Sequence, residues 1–232
     1  SMMDAKRPGR GAGSPEGPAI AYMRSVADCL GKALMATPSA TYSRAASLLM
    51  ETKGQVVLLG GRFSRHVAGM LAGYLTQFRP GVAHIEALSA PQFDLLVDLG
   101  KRDLLVVFDY RRYQLDVISF AEQAAARGVR ILLFTDPWLS PIAEHAEATM
   151  ICSLEVKSPY DTMAPAVAQI EAFMAELLST MGEQTRNRIE ELESIRLNAG
   201  VTLDHATKPP RQHTTGRAPS RKAGGTKMKQ GQ

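Results

Sequence analysis

Apolar residues change their spacing several times along this chain, and each change marks an element. From Ala19 to Leu34 they recur at Ile20, Met23, Val26, Ala27, Leu30 and Leu34, the three-to-four spacing of a helix. A second helix is predicted over 39–51, with Ala45, Leu48 and Leu49 inward. Residues 55–59 are then a compact aliphatic run ended by Gly60-Gly61, which reads as a strand and a glycine turn. Val67, Met70, Leu71, Tyr74 and Leu75 place a helix after it. Further strands are predicted at 82–85, 104–108, 130–134 and 149–154, with helices over 91–99, 115–127 and 139–146 between them. A long helix over 163–181 follows and continues through acidic residues to about 197.

The run Leu104-Leu105-Val106-Val107-Phe108 has no polar alternation, as expected of a central strand covered on both faces. Strands alternating with helices at this spacing give an α/β fold with one parallel sheet and right-handed crossovers. Such a sheet binds ligands beyond the carboxyl ends of its strands, near the point where strand order reverses.

Composition divides the chain into three parts. Residues 1–18 are rich in Gly, Pro, Arg and Ser and read as a disordered linker or cloning remnant; 19–200 form the folded domain, and 201–232 a basic disordered tail. The formal charge of +4 misleads, because Lys208 to Gln232 holds seven Lys or Arg and no acid, and the remaining 20 bases against 23 acids leave −3. The tail is a solvated end or a weak polyanion contact; the acidic body gives no licence to a nucleic-acid surface. With no apolar run of the roughly 18 residues a membrane span needs and no secretory leader, the expectation is a cytoplasmic protein away from membranes. Cys29 and Cys152 are the only cysteines, without disulfide-framework or metal spacing, so no metal and no cofactor are expected.

Candidate chemistry lies just after the strands. Gly60-Gly61-Arg62-Phe63-Ser64 lets backbone approach a ligand, with Ser64 beside the N–H groups of a helix start that favour an anion; equally, Ser64 caps that helix. Asp109-Tyr110-Arg111-Arg112-Tyr113 offers two guanidinium forks for carboxylate or phosphate and two phenols for a sugar ring, unless the arginines only pair with Asp109, Asp116 or solvent. Thr135 follows the fourth strand, where Asp136 or Ser140 caps a short helix, and Ser158 opens a further polar segment, 158–162, after the fifth.

Together these segments resemble the SIS (sugar isomerase) fold, and more narrowly the effector domain of RpiR-type transcriptional regulators. Residues 57–64 resemble the family's G-x-G-x-S turn, 103–108 its central strand, and 128–136 with 139–143 its G-A-x-V-x-x-x-T-D…S-P-x-A signature, over about 20–197 of the chain. The resemblance implies a five-stranded parallel sheet in a three-layer α/β/α sandwich of flavodoxin-like type, with two N-terminal helices and a long C-terminal one. It also implies pairing into a homodimer or a dimer of dimers, and a bound sugar phosphate. The family's serine-rich S-x-S-G-x-T turn after the third strand is replaced here by 109–113, so Ser64 alone keeps the expected type.

The function expected is therefore a non-enzymatic sensor of an anionic sugar derivative, the ligand-binding sites being Gly60 to Ser64, Asp109 to Tyr113, Thr135 and Ser158. Its DNA contact would run only through an N-terminal helix-turn-helix domain, expected to be missing from this chain. The alternatives are a sugar-phosphate isomerase, for which His66, Glu86, His145 and Glu171 are base types without a specific pattern, or a dimerisation module with a degenerate pocket.

Overall fold

The computed structural model describes residues 17–201. Five strands, β1 (Val56–Gly60), β2 (Val82–Ile85), β3 (Leu104–Phe108), β4 (Arg130–Thr135) and β5 (Ala148–Ile151), form one sheet of order β2-β1-β3-β4-β5. Every neighbouring pair is parallel. The helices are α1 (Gly17–Ala36), α2 (Ser39–Glu51), α3 (Ser64–Phe78), α4 (Ala90–Asp94), α5 (Leu115–Ala126), α6 (Ala164–Ser179) and α7 (Glu183–Asn198).

Side chains of β1, β3 and β4 alternate between two cores, as the pleat of a strand requires. Val56, Leu58, Leu104, Val106, Phe108, Leu132 and Phe134 face α2, α3 and α6. Val57, Leu59, Leu105, Val107, Ile131 and Leu133 face α5 and the turn at Leu96. With both faces apolar, these strands have no polar side to show, which is why the sequence carried no alternation. Phe108, Phe134 and Phe173 form the centre of the first core, with Phe108 stacked on Phe134 at 4.4 Å between ring centroids.

Several bounds differ from the sequence reading. β5 ends at Ile151 and not at 154 because its neighbour β4 ends at Thr135, the partner of Ile151; beyond the Cys152 N–H, which still reaches the Thr135 carbonyl at 3.0 Å, no ladder remains. The helix expected over 91–99 is α4 followed by a 3-10 turn at Leu95–Val97, and the one over 139–146 is a 3-10 helix, Pro141–His145. The terminal helix is interrupted after Ser179, and its acidic continuation is the separate α7. On α1 only Val26 and Cys29 are buried, while Ile20, Met23, Leu30 and Leu34 are exposed.

β5 is an edge strand, and unpaired edges invite pairing with other chains. Thr37, between α1 and α2, covers it: the Thr37 hydroxyl donates to the Ile151 carbonyl at 2.8 Å and accepts from the Ile151 N–H at 3.0 Å. Gln169 of α6 donates to the same carbonyl at 3.1 Å.

The chain divides between Leu192 and Glu193 into two compact units. The first holds the sheet; in the second, Arg196 pairs with Glu193. The sequence expectations for 1–16 and 202–232 lie outside the described residues. Among the described residues no helix is long and apolar enough to cross a membrane.

Candidate functional site

Strand order reverses between β1 and β3: the chain leaves β1 toward β2 on one side and reaches β3 on the other. The register places Gly60 opposite Phe108. The two turns that follow, 61–64 and 109–114, therefore face each other at the carboxyl end of the sheet, where this architecture places ligands.

Each glycine of the first turn answers a close approach. A Cβ on Gly60 would stand 2.5 Å from the Arg65 nitrogen, because the first turn of α3 lies across it. A Cβ on Gly61 would stand 2.8 Å from Gln114 Oε1. Ser64 is buried, and its hydroxyl ties the turns together, donating to the Phe108 carbonyl at 2.7 Å and accepting from the Gly61 N–H at 2.8 Å. The Ser64 hydroxyl does not cap α3, whose N-cap residue, Phe63, makes no side-chain capping bond. Arg62 and Phe63 are exposed at the rim, with the guanidinium 5.1 Å from the ring centroid.

In the second turn the two arginines part. Arg111 donates to Asp161 through Nη2 at 2.6 Å and Nε at 3.2 Å, and its guanidinium lies 4.9 Å from the centroid of the Trp138 ring. The Asp161 hydrogen bond raises the Arg111 pKa further. Arg112 is exposed, holds φ at 64°, and forms no hydrogen bond or ion pair among the described residues. That left-handed conformation is disfavoured for a residue with a Cβ by about 1–2 kcal/mol.

Beneath the turn sit two buried aspartates. Asp136 accepts from the Tyr113 hydroxyl at 2.8 Å, the Trp138 N–H at 2.9 Å and the Arg111 N–H. Hydrogen bonding to Asp136 and burial both push the Tyr113 phenol up, burial being the larger cause. Asp109 accepts from the Ser140 hydroxyl at 2.5 Å, and burial pushes its carboxyl up to about 6. Ser140 also accepts from the Ile142 N–H at 3.3 Å, so it is Ser140 that caps the short helix.

The remaining sequence candidates take other places. The Thr135 hydroxyl is fully buried, donating to the Asp109 carbonyl at 2.7 Å and accepting from the Ser140 N–H at 3.2 Å. The Tyr110 ring is buried in the first core, away from the cleft. Ser158 is half-buried, its hydroxyl accepting from the Tyr160 N–H at 3.3 Å. Sequence reasoning missed Gln114, Asp136, Trp138 and Asp161 as members of the site. Gln114 stood at a legible helix start and Asp161 in a noted polar segment, but nothing local announced their partners.

The raised Asp109 carboxyl has a consequence for stability. Its folded value lies above the ordinary one of 3.8, so the fold favours the protonated form, and that contribution is complete below about pH 4 and lost as pH rises through 6. Asp109→Asn removes the dependence. Relative to the parent, the variant should gain on the order of 2 kcal/mol between pH 4 and pH 8, measured as the difference between urea-unfolding curves of the two proteins across that range. A difference that is flat with pH would mean that Asp109 ionises as an ordinary carboxylate.

A doubly wound parallel sheet whose switch point carries a glycine turn, a buried serine and an arginine-bearing loop defines an α/β domain with a candidate cleft at the carboxyl ends of β1 and β3. The chain belongs to the SIS domain family, whose model matches residues 48–179. Solved structures agree in fold. The sugar isomerase domain of an RpiR transcription factor from Sphaerobacter thermophilus is 20% identical, with a TM-score of 0.69 over 76% of this chain and 98% of its own. The Vibrio vulnificus NanR protein complexed with ManNAc-6P is 14% identical, with a TM-score of 0.67 over 78% and 70%. An Escherichia coli CFT073 protein in complex with A5P is 14% identical, with a TM-score of 0.56 over 72% and 92%. A comparison with curated protein sequences finds no significant match.

Proposed function

We propose that this SIS domain is the effector-binding part of an RpiR-type bacterial transcriptional regulator, and that it senses a sugar phosphate or a related anionic sugar derivative in the cleft between the β1 and β3 turns. The observation that carries the site is Arg112, an exposed cation held in a left-handed conformation at the switch point. Backbone strain of this kind persists where the surrounding structure imposes it, and it concentrates at ligand clamps. Arg111 is the organising arginine, committed to Asp161 and Trp138, and Arg112 is the one that meets the effector. The relatives solved with ManNAc-6P and A5P support the ligand class.

In this reading the effector binds one domain arrangement better than another and so biases operator affinity, since a ligand shifts an equilibrium only by its differential affinity. DNA contact belongs to a helix-turn-helix domain outside residues 17–201, and the setting is the cytoplasm. The assembly is a homodimer or a dimer of dimers, for which exposed Ile20, Met23, Leu30 and Leu34 of α1 provide apolar surface. The domain senses and does not catalyse.

The test begins with a panel of sugar phosphates and sugar acids screened by thermal shift, followed by titration calorimetry of the hit. Charged hydrogen bonds contribute about 1.5–3 kcal/mol, so Arg112→Gly should weaken binding roughly ten- to a hundredfold. The same change should stabilise the ligand-free protein by about 1 kcal/mol through relief of the left-handed backbone. A variant that binds the hit as tightly as the parent would move the site elsewhere. Steady isomerisation of the hit by the parent would replace the sensor with an enzyme.

A further inference from the structure

Two amide donors of the β1 turn, Gly61 and Arg62, already hold oxygens from this chain. The Gly61 N–H is taken by the Ser64 hydroxyl at 2.8 Å, and the Arg62 N–H by Gln114 Oε1. Ser64 belongs to the turn itself, whereas Gln114 reaches across the cleft from the β3 side. Its carboxamide is oriented by Nε2, which donates to Asp116 Oδ1 at 3.3 Å and so turns Oε1 toward Arg62. The absence of a Cβ on Gly61 leaves room for that oxygen.

We infer that Gln114 is a latch on the anion seat: its carboxamide oxygen stands in for an oxygen of the effector on the Arg62 N–H, and an anionic group binds by displacing it. The inference rests on the reading of this cleft as an anionic-sugar site and adds how that site discriminates. A neutral carbonyl is a weaker acceptor than a phosphate oxygen, whose hydrogen bonds are charge-assisted. A phosphorylated sugar therefore displaces Gln114, and an uncharged sugar, with hydroxyls no better than the amide it must replace, does not.

Gln114 is the N-cap residue of α5, but no side-chain capping bond is made there. Truncation thus removes the latch without removing a cap. The displaced carboxamide also has a place to go, because Gln114 is only half-buried and Asp116 beside it is exposed.

The experiment uses the parent, Gln114→Ala and Gln114→Glu, with inorganic phosphate as the probe, followed through the backbone amide resonances of Gly61 and Arg62; urea midpoints verify that each variant is folded. One hydrogen bond of ordinary net strength no longer has to be broken in Gln114→Ala, so its affinity for phosphate should rise about three- to tenfold, with the Arg62 amide shifting on titration. Gln114→Glu places a fixed negative charge on the seat and should lose phosphate binding. An unchanged or weaker affinity in a folded Gln114→Ala, or an Arg62 amide that ignores phosphate, overturns the latch. If that happens while Arg112→Gly still costs effector affinity, the site stands and only the latch falls. If neither phosphate nor any sugar phosphate binds parent or variant, the site falls and takes the latch with it.

Discussion

Asp136→Ala is expected to lower the unfolding free energy by about 3 kcal/mol or more and to abolish effector binding. The Asp136 carboxylate, 1% exposed, accepts from the Arg111 N–H, the Tyr113 hydroxyl and the Trp138 N–H. Truncation strands all three donors, and a buried donor left without a partner costs about 1–3 kcal/mol; Trp138 lies near solvent and recovers part of this through water. The turn at 109–114 then loses the anchor that fixes both arginines, so binding fails even though no ligand contact was removed. Asp136→Asn keeps one carbonyl oxygen and should restore roughly half of the lost stability. Trp138 is the only tryptophan of the chain, which makes its fluorescence a direct reporter on this turn: a red-shifted, more mobile indole in a folded Asp136→Ala is the expected signature. An unchanged urea midpoint would show that solvent satisfies the three donors equally well.

The second large effect is expected in the core below. Phe134→Ala should cost about 3–5 kcal/mol, the range for truncating a buried phenylalanine. The ring is fully buried, stacked on Phe108 with planes 12° apart and edge-on to Phe173 of α6 at 6.0 Å between centroids. Its loss leaves a cavity between β3, β4 and α6 that the rigid strand backbones cannot close. Phe134→Leu retains most of the volume and should cost considerably less. Equilibrium urea unfolding measures both; a cost of under 1 kcal/mol for the alanine variant would mean that α6 collapses into the space, contrary to the close packing of protein interiors.

The architecture was legible in the sequence for a simple reason. Strands buried on both faces need uninterrupted apolar runs, and 104–108 and 131–134 are such runs; helices packed on one side need apolar spacing of three to four, as at Ala45, Leu48 and Leu49, all of which are buried. The ends of elements were less legible. β5 stopped at Ile151 although apolar residues continue past it, because a strand lasts only as long as its neighbour offers a ladder.

The site divides along the same line. Gly60-Gly61 and Ser64 announced a turn of close approach, since a missing Cβ and a short hydroxyl have few other uses after a strand. The adjacent Arg111 and Arg112 announced a cationic loop but not which of them was committed. That was settled by Asp161, fifty residues further on, which meets Arg111 only because β5 lies beside β4 and returns the chain to the β3 turn. Gln114 read as a helix start, and its contact with Arg62 exists only because β1 and β3 are neighbours. The sequence by itself thus determined the parallel sheet and its two cores, because burial and backbone conformation are written locally. The tertiary structure alone decided which polar groups face a partner and which face the cleft, because hydrogen bonds and ion pairs depend on residues that chain connectivity keeps apart and sheet order brings together.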